Sequence, residues 1–256
     1  MSALIGVLYG MVAYVVFLLT FLYAIGFVGN LVVPKSIDSG AAGGLLESVM
    51  VNAALLTVFA VQHSVMARPG FKRWWTKIVP PVIERSTYVL FSSLALIALF
   101  IWWQPLPSLV WRVESEPLRW LLHGLYASGW LLLLVSTFLI SHFELFGLRQ
   151  VWLHVRGLPS PHTPFVIRSI YGLVRHPLML GFLISFWATP DMSQGRLLFA
   201  VVTTAYIFVA VKFLEERDLV AAHGDAYRDY QRRVPMLLPL RKPAPCQTTR
   251  PEEITS

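Results

Sequence analysis

Ionisable side chains that could do chemistry recur where apolar segments of this 256-residue chain end or begin. His63 ends one apolar segment, and Arg85 and Tyr88 open the next. A histidine can accept a proton near neutral pH, and an arginine can stabilise a nearby anion. The other candidates at such boundaries are His142, Glu144, Arg149, Tyr171, Arg175, His176, Glu215 and Glu216. Because ionisable groups beside an apolar zone are costly and often functional, this pattern predicts a shared polar site.

A second pattern occupies the last third of the chain, where short motifs follow one another in a set order. Arg175-His176-Pro177 precedes an apolar hairpin, and the adjacent pair Glu215-Glu216 follows it. Adjacent helical side chains point about 100° apart, so the two carboxylates can take different partners. The remaining members of the pattern are Tyr171, Gly181, Gly224, Tyr227, Tyr230, Arg233 and Pro235. Tyr227 and Tyr230 are predicted to share one helical face.

The composition predicts that lipid, rather than water, surrounds much of the chain. Charged residues make up only 14% of the sequence and hydrophobic residues 56%; soluble domains carry about 25% charged residues. A net charge of +7 would favour nucleic acid binding in a soluble protein, but here the basic residues lie between apolar segments and indicate topology. The single cysteine, Cys246, excludes an internal disulfide and a cysteine-based metal site. We therefore expect neither a nucleic acid partner nor a metal.

Six apolar segments are predicted to be membrane helices, which need about 20 apolar residues to span a bilayer. They cover about residues 3–28, 45–66, 86–103, 119–141, 178–189 and 196–214. The first is longer than the ~7–15-residue apolar core of a signal peptide, so we expect a retained helix. Pro190-Asp191 separates the last two segments, which predicts a hairpin with a short first arm.

The predicted fold class is all-α, a multi-pass transmembrane helical bundle of about six helices, with a short amphipathic C-terminal helix. We expect a single integral membrane domain over residues 1–240. Residues 241–256 are rich in Pro, Thr and Glu and are predicted to be a disordered tail.

Lysine and arginine counts in the short loops predict the orientation. These residues concentrate in loops 67–85 and 142–177 and after residue 214, but not in loops 29–44, 104–118 and 190–195. Basic loops remain in the cytoplasm. Both termini and the polar site are therefore expected on the cytoplasmic side, with His123 alone at the opposite end.

The order of motifs over residues 171–239 resembles the membrane methyltransferases that include isoprenylcysteine carboxyl methyltransferases and phospholipid methyltransferases. The resemblance implies S-adenosylmethionine as cofactor and a cofactor-binding part over about residues 142–239. The implied binding residues are Arg149, Tyr171, Arg175, His176, Pro177, Gly181, Glu215, Glu216, Tyr227, Tyr230 and Arg233. One position departs from the family pattern, because Met179 stands where those enzymes usually carry a tyrosine.

The residue types suit that cofactor, which combines a sulfonium, an ammonium, a carboxylate, a ribose and an adenine. Pro177 can begin a helix whose free N–H groups, beside Arg175 and His176, favour a carboxylate. One glutamate of the pair can meet the ammonium or the ribose while the other pairs with an arginine. Tyr227 and Tyr230 are expected to cover the adenine.

The first two-thirds of the chain resembles a narrower family, the methanethiol S-methyltransferases. The resemblance is carried by the stretches 27–38, 62–74, 84–88 and 141–150. It implies a bacterial inner-membrane enzyme that makes dimethyl sulfide from methanethiol, and hydrogen sulfide is a further possible acceptor. No obligatory protein partner is implied.

Methylation of a thiol requires a thiolate, which a simple alkyl thiol scarcely forms at neutral pH. We therefore expect His63 or His142 as the base, with Glu144 to orient one of them. Arg85 or Arg149 would stabilise the thiolate, and Tyr88 would orient the sulfur. Capture of a preformed thiolate, with the rate supplied by alignment, is an open alternative.

Three other functions remain open from the sequence. The same fold could methylate a lipid amine or a prenylated cysteine carboxylate. His63 and His142 could instead be axial haem ligands, although the motifs of the last third would then have no role. The third is a non-catalytic sensor. A di-iron oxygenase is disfavoured, because the seven histidines show no H-x-x-H or H-x-x-x-H spacing.

Overall fold

The protein is described here by a computed structural model of residues 3–159, 167 and 169–240, which is a bundle of apolar helices. Five helices in this part of the chain are long and apolar enough to cross a membrane. They are α1 (Ala3–Gly29), α2 (Leu45–Ala67), α4 (Pro81–Trp102), α5 (Glu116–Ile140) and the continuous helix Gln194–His223. The all-α, multi-pass class predicted from the sequence is confirmed. The expected tail, 241–256, lies outside the described residues.

The last long helix is divided by a change of helical type. It begins as α9 (Gln194–Val209), widens into a π-helical turn with i→i+5 hydrogen bonds (Ala210–Glu215), and continues as α10 (Glu216–His223). Gly224, with φ +57°, ends it and allows the chain to turn into α11 (Asp225–Arg233). The amphipathic C-terminal segment expected from the sequence is therefore two short helices.

Shorter elements connect the long helices. They are α3 (Pro69–Trp75), α6 (His142–Leu145), α7 (Leu148–Val155), a 3₁₀ turn (Ser169–Gly172), α8 (Pro177–Trp187) and the strands β1 (Leu109–Arg112) and β2 (Asp191–Ser193). We call the end of the bundle that carries Ala67, Pro81 and Ile140 the site end, and the end that carries the two strands the far end.

The sixth predicted helix is the short α8, whose 11 residues extend about 16 Å at 1.5 Å per residue. A hydrocarbon core is about 30 Å thick, so α8 alone does not cross it. The chain nevertheless passes from the site end to the far end here, because residues 188–190 continue in irregular conformation to β2. The sequence-predicted hairpin is thus one short helix, a stretch of extended chain and one long helix.

The far end is closed by polar contacts that the sequence pattern did not indicate. β1 and β2 pair antiparallel, although a plain turn was expected around Pro190-Asp191. Asp191 forms ion pairs with Arg119 at 2.8 Å and with Arg112 at 3.1 Å. Arg196 Nε lies 3.2 Å from an Asp38 carboxylate oxygen, with both side chains largely buried. These pairs fix the loops that join α1 to α2, α4 to α5 and α8 to α9.

Close packing of α5 on α8 positions the start of the α8 segment at the site end. A Cβ at Gly181 would lie 2.6 Å from the Gly129 carbonyl oxygen, so only glycine permits this approach. The main core surrounds the contact and joins α1, α4, α5, α8 and α9. Its buried aromatic side chains are Phe27, Phe100, Trp103, Tyr126, Trp130, Phe186 and Phe199.

Candidate active site

The site end brings His63 of α2 into contact with Tyr88 of α4. The Tyr88 hydroxyl lies 2.9 Å from His63 Nε2 and 3.1 Å from Nδ1. The Ser92 hydroxyl, one turn beyond Tyr88, lies 3.2 Å from Nδ1. Phe59, one turn before His63, stacks on the imidazole at a centroid distance of 5.3 Å. The ring is therefore held by one aromatic face and two hydroxyl groups.

Two charged groups act on this pair. The Arg85 guanidinium lies 5.1 Å from the centroid of the Tyr88 ring, and its Nε donates to the Leu145 carbonyl at 2.8 Å. Arg85 and the Glu215 carboxylate both act on His63 electrostatically. The surroundings of the pair therefore include both a cation and an anion.

Arg175, His176 and Glu216 form a second, more buried network beside Glu215. Glu216 Oε1 accepts from Arg175 Nε at 2.7 Å and from His176 Nε2 at 3.2 Å. His176 Nδ1 lies 3.5 Å from a Glu215 oxygen, and Gln231 donates to Glu216 Oε2 at 3.1 Å. Burial alone would lower the pKa of His176, but hydrogen bonds to the two carboxylates raise it to about 9. His176 is therefore an imidazolium at neutral pH.

The motifs at the two ends of the last third are joined directly. The backbone N–H groups of Arg175 and His176 donate to the carbonyls of Pro235 and Met236 at 2.9 and 3.1 Å. Arg175 Nη1 also donates to the Val234 carbonyl and, at 3.0 Å, to that of Gln231. The Arg175 guanidinium therefore bonds both Glu216 of α10 and the C-terminal end of α11, and so holds these two helices against the segment that precedes α8.

The π-helical turn ends at Glu215, and Glu216 begins α10. The two adjacent carboxylates have different surroundings. Glu216 is buried against Arg175 and His176, whereas the Glu215 side chain is 44% exposed. Such turns shift the phase of the following helix and recur at functional sites. Glu215 is consequently the carboxylate of the pair that is open to a ligand.

The start of α8 adds backbone donors beside His176. Pro177 is fully buried at the first helical position, and no side chain caps this turn. The N-terminal N–H groups of a helix favour an anion. Met179, at the position that departs from the family pattern, packs against the main core. Gly181 packs directly against Gly129, and only a residue without a Cβ can approach this closely.

The three tyrosines of the pattern form the support of α10 and α11. Tyr227 and Tyr230 are 2% and 3% exposed and pack with Val234. The Tyr230 hydroxyl donates to the Tyr171 carbonyl at 2.5 Å, and the Tyr171 hydroxyl to that of Ser136 at 3.3 Å. Burial raises the pKa of Tyr230 to about 12, so its phenol is a proton donor throughout the neutral range. Both rings on α11 therefore face the protein interior.

The second candidate base, His142, lies in a different environment from His63. Its Nε2 is 2.9 Å from the Tyr14 hydroxyl, and its Nδ1 is 2.8 Å from the Thr137 hydroxyl. Phe138 stacks on the ring at 4.2 Å, and the side chain is 5% exposed. Burial lowers the pKa of His142. Both ring nitrogens are occupied by hydroxyl groups of the helical bundle.

Two local ion pairs account for other charged candidates: one lies near His142 and the other at the end of α11. Glu144 accepts from Arg149 Nη1 at 2.5 Å, and both side chains are partly exposed. Arg233 pairs with Asp229 one turn earlier on α11. Among the contacts of the described residues, Glu144 meets Arg149 rather than a histidine ring.

The structure thus joins His63, Tyr88 and Arg85 in one group and Arg175, His176 and Glu216 in another, with Glu215 near both. It separates His142 from these groups. Sequence reasoning missed Phe59, Ser92 and Gln231, which contact His63 and Glu216, and the pair Ser64 and Tyr206, whose hydroxyls lie 3.0 Å apart. Phe59 and Ser92 stand four residues from His63 and Tyr88, so helical periodicity could have indicated them. Within the described part of the chain, no group of three or more His, Cys, Asp or Glu residues could hold a metal ion.

Comparison with known proteins gives close relatives over most of the chain. The chain is 55% identical to methanethiol S-methyltransferase of Mycobacterium tuberculosis, over 93% of this chain and 98% of the relative. It is also 55% identical to methanethiol S-methyltransferase 2 of Bradyrhizobium diazoefficiens, over 91% and 89%. A more distant relative, rat Nurim, is 33% identical over 73% and 74%. No family model and no solved structure matches the chain.

Proposed function

This chain belongs to the methanethiol S-methyltransferase family, and from that premise we propose that it transfers a methyl group to methanethiol to form dimethyl sulfide. The main support for assigning this reaction to specific residues is the contact between His63 and Tyr88. The Glu215 carboxylate lies within electrostatic range of His63. Together they offer a proton acceptor and a cation-binding carboxylate at one end of the bundle, which are the two groups that the reaction requires.

S-adenosylmethionine is the proposed methyl donor, and when bound it supplies an electrophilic methyl group to the thiol sulfur. The residues at the site end fit its chemistry. Glu215 is partly exposed and, among the described residues, forms an ion pair only with His176, so it suits an ammonium or a ribose diol. The His176 imidazolium and the uncapped start of α8 suit a carboxylate. Glu216 and Arg175 hold this arrangement in place, because each neutralises the other.

His63 is the proposed base that removes the thiol proton. Histidine is the side chain that most often serves as a general base. Tyr88 would fix the ring and orient the sulfur, and Arg85, over the Tyr88 ring, would stabilise the thiolate that forms. We assign His142 to stability, because among the described residues its contacts are with Tyr14, Thr137 and aromatic rings, and no charged group acts on it as Arg85 and Glu215 act on His63.

The roles of the remaining charged residues follow from the same contacts. Arg149 is paired with Glu144, so we propose that this pair holds α6 and α7 together rather than binding the thiol. The rings of Tyr227 and Tyr230 are buried in the α10–α11 core. We propose that they support α10, the helix that begins at Glu216, by packing against it, and that they do not contact the adenine.

We also propose a location, the inner membrane of a bacterium, with both termini and the site end in the cytoplasm. The support is the concentration of lysine and arginine in the loops at the site end. A charged methyl donor would then reach Glu215 from the cytoplasm, while the small apolar thiol could arrive through the bilayer. Hydrogen sulfide is a proposed second acceptor, and its product would be methanethiol. No protein partner is needed for this chemistry.

The test is an assay of membranes that contain this chain. They are incubated with S-adenosylmethionine and methanethiol, and dimethyl sulfide is measured in the headspace. We expect product from the intact protein, none from membranes without it, and a normal yield from a His123→Ala variant, altered at the far end. Absence of product from folded protein that binds S-adenosylmethionine would reject methanethiol as acceptor and favour a lipid amine or a prenylated cysteine carboxylate.

A further inference from the structure

An open groove of about 430 Å³ lies on the outer side of the α10–α11 pair. Small-molecule sites have volumes of about 300–1,000 Å³, so the groove can hold a compact ligand. The residues that line it come from the π-helical turn, α10 and α11. Those used below are Lys212, Glu216, Arg217, Arg228 and Gln231.

The groove carries an excess of positive charge. Arg175 already neutralises Glu216, the carboxylate in its wall. The neighbouring acidic residues are engaged as well, since Asp218 pairs with Arg68 and Asp225 with Arg228. Within the described residues, Lys212 and Arg217 therefore have no carboxylate partner. Arg228, whose partner Asp225 is exposed, adds a third guanidinium or ammonium group to the groove, and the two unpaired cations give it a net positive charge. The ligand that complements it is therefore an anion.

The depth of the groove matches the head-group region of a bilayer. At 1.5 Å per residue, Lys212 and Arg217 lie about 27 and 35 Å along the helix from Gln194 at the far end. A hydrocarbon core is about 30 Å thick. Lys212 and Arg217 thus lie about one hydrocarbon thickness along the helix from its polar far end.

Apolar side chains beside the groove face the lipid. Phe208 and Phe213 are 44% and 51% exposed. The Lys212 ammonium lies 5.4 and 5.5 Å from the centroids of their rings, which is the behaviour of a lysine that extends from the hydrocarbon to the interface. An acyl chain can therefore lie against the two rings while its head group reaches the cations.

We propose that this groove binds the head group of an anionic phospholipid from the surrounding bilayer. Arg217 and Arg228 provide planar guanidinium donors for the phosphodiester oxygens, and Lys212 adds a point charge at the lipid side. Gln231 can donate to the glycerol part. Basic pockets at the ends of membrane helices bind anionic head groups by this combination of charge and depth. The inference does not rest on methyl transfer, because its three cations do not contact His63, Tyr88 or Glu215; Glu216 and Gln231 in the groove wall also belong to the network around His176.

The experiment measures lipid binding by the purified full-length chain in dodecyl maltoside by native mass spectrometry. Phosphatidylglycerol and phosphatidylcholine with identical acyl chains are titrated separately. We expect the wild-type protein to retain one phosphatidylglycerol in clear preference to phosphatidylcholine. Arg217→Gln with Arg228→Gln should weaken phosphatidylglycerol binding by roughly thirtyfold, since each cation near an anionic surface contributes roughly fivefold. The matched control is Arg73→Gln with Lys77→Gln, which removes the same charge from exposed positions at the same end.

Four results would overturn the proposal. They are equal retention of the two lipids by the wild-type protein, equal affinity of the groove variant and the wild type, an equal loss in the control variant, and displacement of the lipid by S-adenosylmethionine, which would assign the groove to the methyl donor. A fifth such result is displacement by an equal concentration of soluble glycerol 1-phosphate, which would assign the groove to a free phosphate. Because the lipid preference is measured on wild-type protein, the test stands even if the groove variant fails to fold.

Discussion

The Tyr88 hydroxyl lies 2.9 Å from His63 Nε2, across the contact between α4 and α2. Ser92 and Phe59 hold the same imidazole from its Nδ1 side and from one face. This arrangement distinguishes His63 from His142, because it combines a fixed ring with nearby opposite charges, Arg85 and Glu215.

We expect His63→Gln to lower the rate of dimethyl sulfide formation by about 10²–10⁴-fold, the usual contribution of a general base. Glutamine keeps polar atoms near Tyr88 but cannot accept the thiol proton. Headspace product is measured at saturating methyl donor across a range of pH. The rate of the variant should rise with pH as thiolate forms in solution, and His123→Gln should behave as the wild type. An unchanged rate and pH profile in His63→Gln would remove this histidine from the mechanism.

Tyr88→Phe removes one hydroxyl and keeps the ring below the Arg85 guanidinium. We expect a rate lower by about tenfold, the equivalent of one hydrogen bond, with little change in thermal stability. The measurement pairs turnover with a melting curve. A variant that melts normally and turns over at the wild-type rate would show that His63 needs no hydroxyl partner.

Replacing Glu216 and replacing Glu215 should have different consequences. Glu216→Ala leaves the Arg175 guanidinium largely buried without its carboxylate, which should cost about 3–5 kcal/mol in the free energy of unfolding. Glu215→Gln removes a partly exposed partner of the His176 imidazolium, so we expect a smaller loss of up to about 1 kcal/mol. Methyl-donor binding should instead weaken by about tenfold or more in that variant.

Melting curves in detergent, with and without S-adenosylmethionine, separate the two effects. The ligand should stabilise the wild type and fail to stabilise Glu215→Gln at the same concentration. If Glu215→Gln were stabilised as strongly as the wild type, Glu215 would not contact the methyl donor.

Alkaline conditions should loosen the network around His176. Two carboxylates raise the pKa of this buried imidazole from 6.5 to about 9. A group with a raised pKa contributes its full stabilisation below its ordinary pKa and loses it as the pH rises through the folded value. The melting temperature should therefore fall between neutral pH and about pH 10, and fall less in His176→Asn than in the wild type. Equal losses in the two proteins would show that His176 is not charged in the native state.

Gly181→Ala tests the contact that sets the start of α8. The new Cβ would lie 2.6 Å from the Gly129 carbonyl oxygen, so α5 and α8 must separate. We expect a loss of about 1–3 kcal/mol in the free energy of unfolding, typical of an overpacked contact. Gly172→Ala is the control, because open space surrounds that position. A normal melting temperature for Gly181→Ala would show that the helices can adjust without strain.

The sequence by itself determined the membrane helices. The predicted segments 3–28, 45–66 and 119–141 end within three residues of α1, α2 and α5. Their lengths follow from the thickness of the hydrocarbon layer and their apolar composition from its solvent, and both are local properties of the chain. The two short strands at the far end escaped prediction, because their pairing joins residues about eighty positions apart.

The sequence also indicated which residue types gather at the site end, but only the tertiary structure decided their partners. His63 and His142 both stand at a helix end beside aromatic residues, and nothing in their own segments distinguishes them. The packing of α1 brings Tyr14 to His142, and the packing of α4 brings Tyr88 to His63. Likewise, the π-helical turn and the return of the chain at Val234 decided that Glu216 takes Arg175 while Glu215 stays open. The physical reason is that membrane thickness fixes each helix separately, whereas a partner depends on the rotation and depth of two helices that are distant in the sequence.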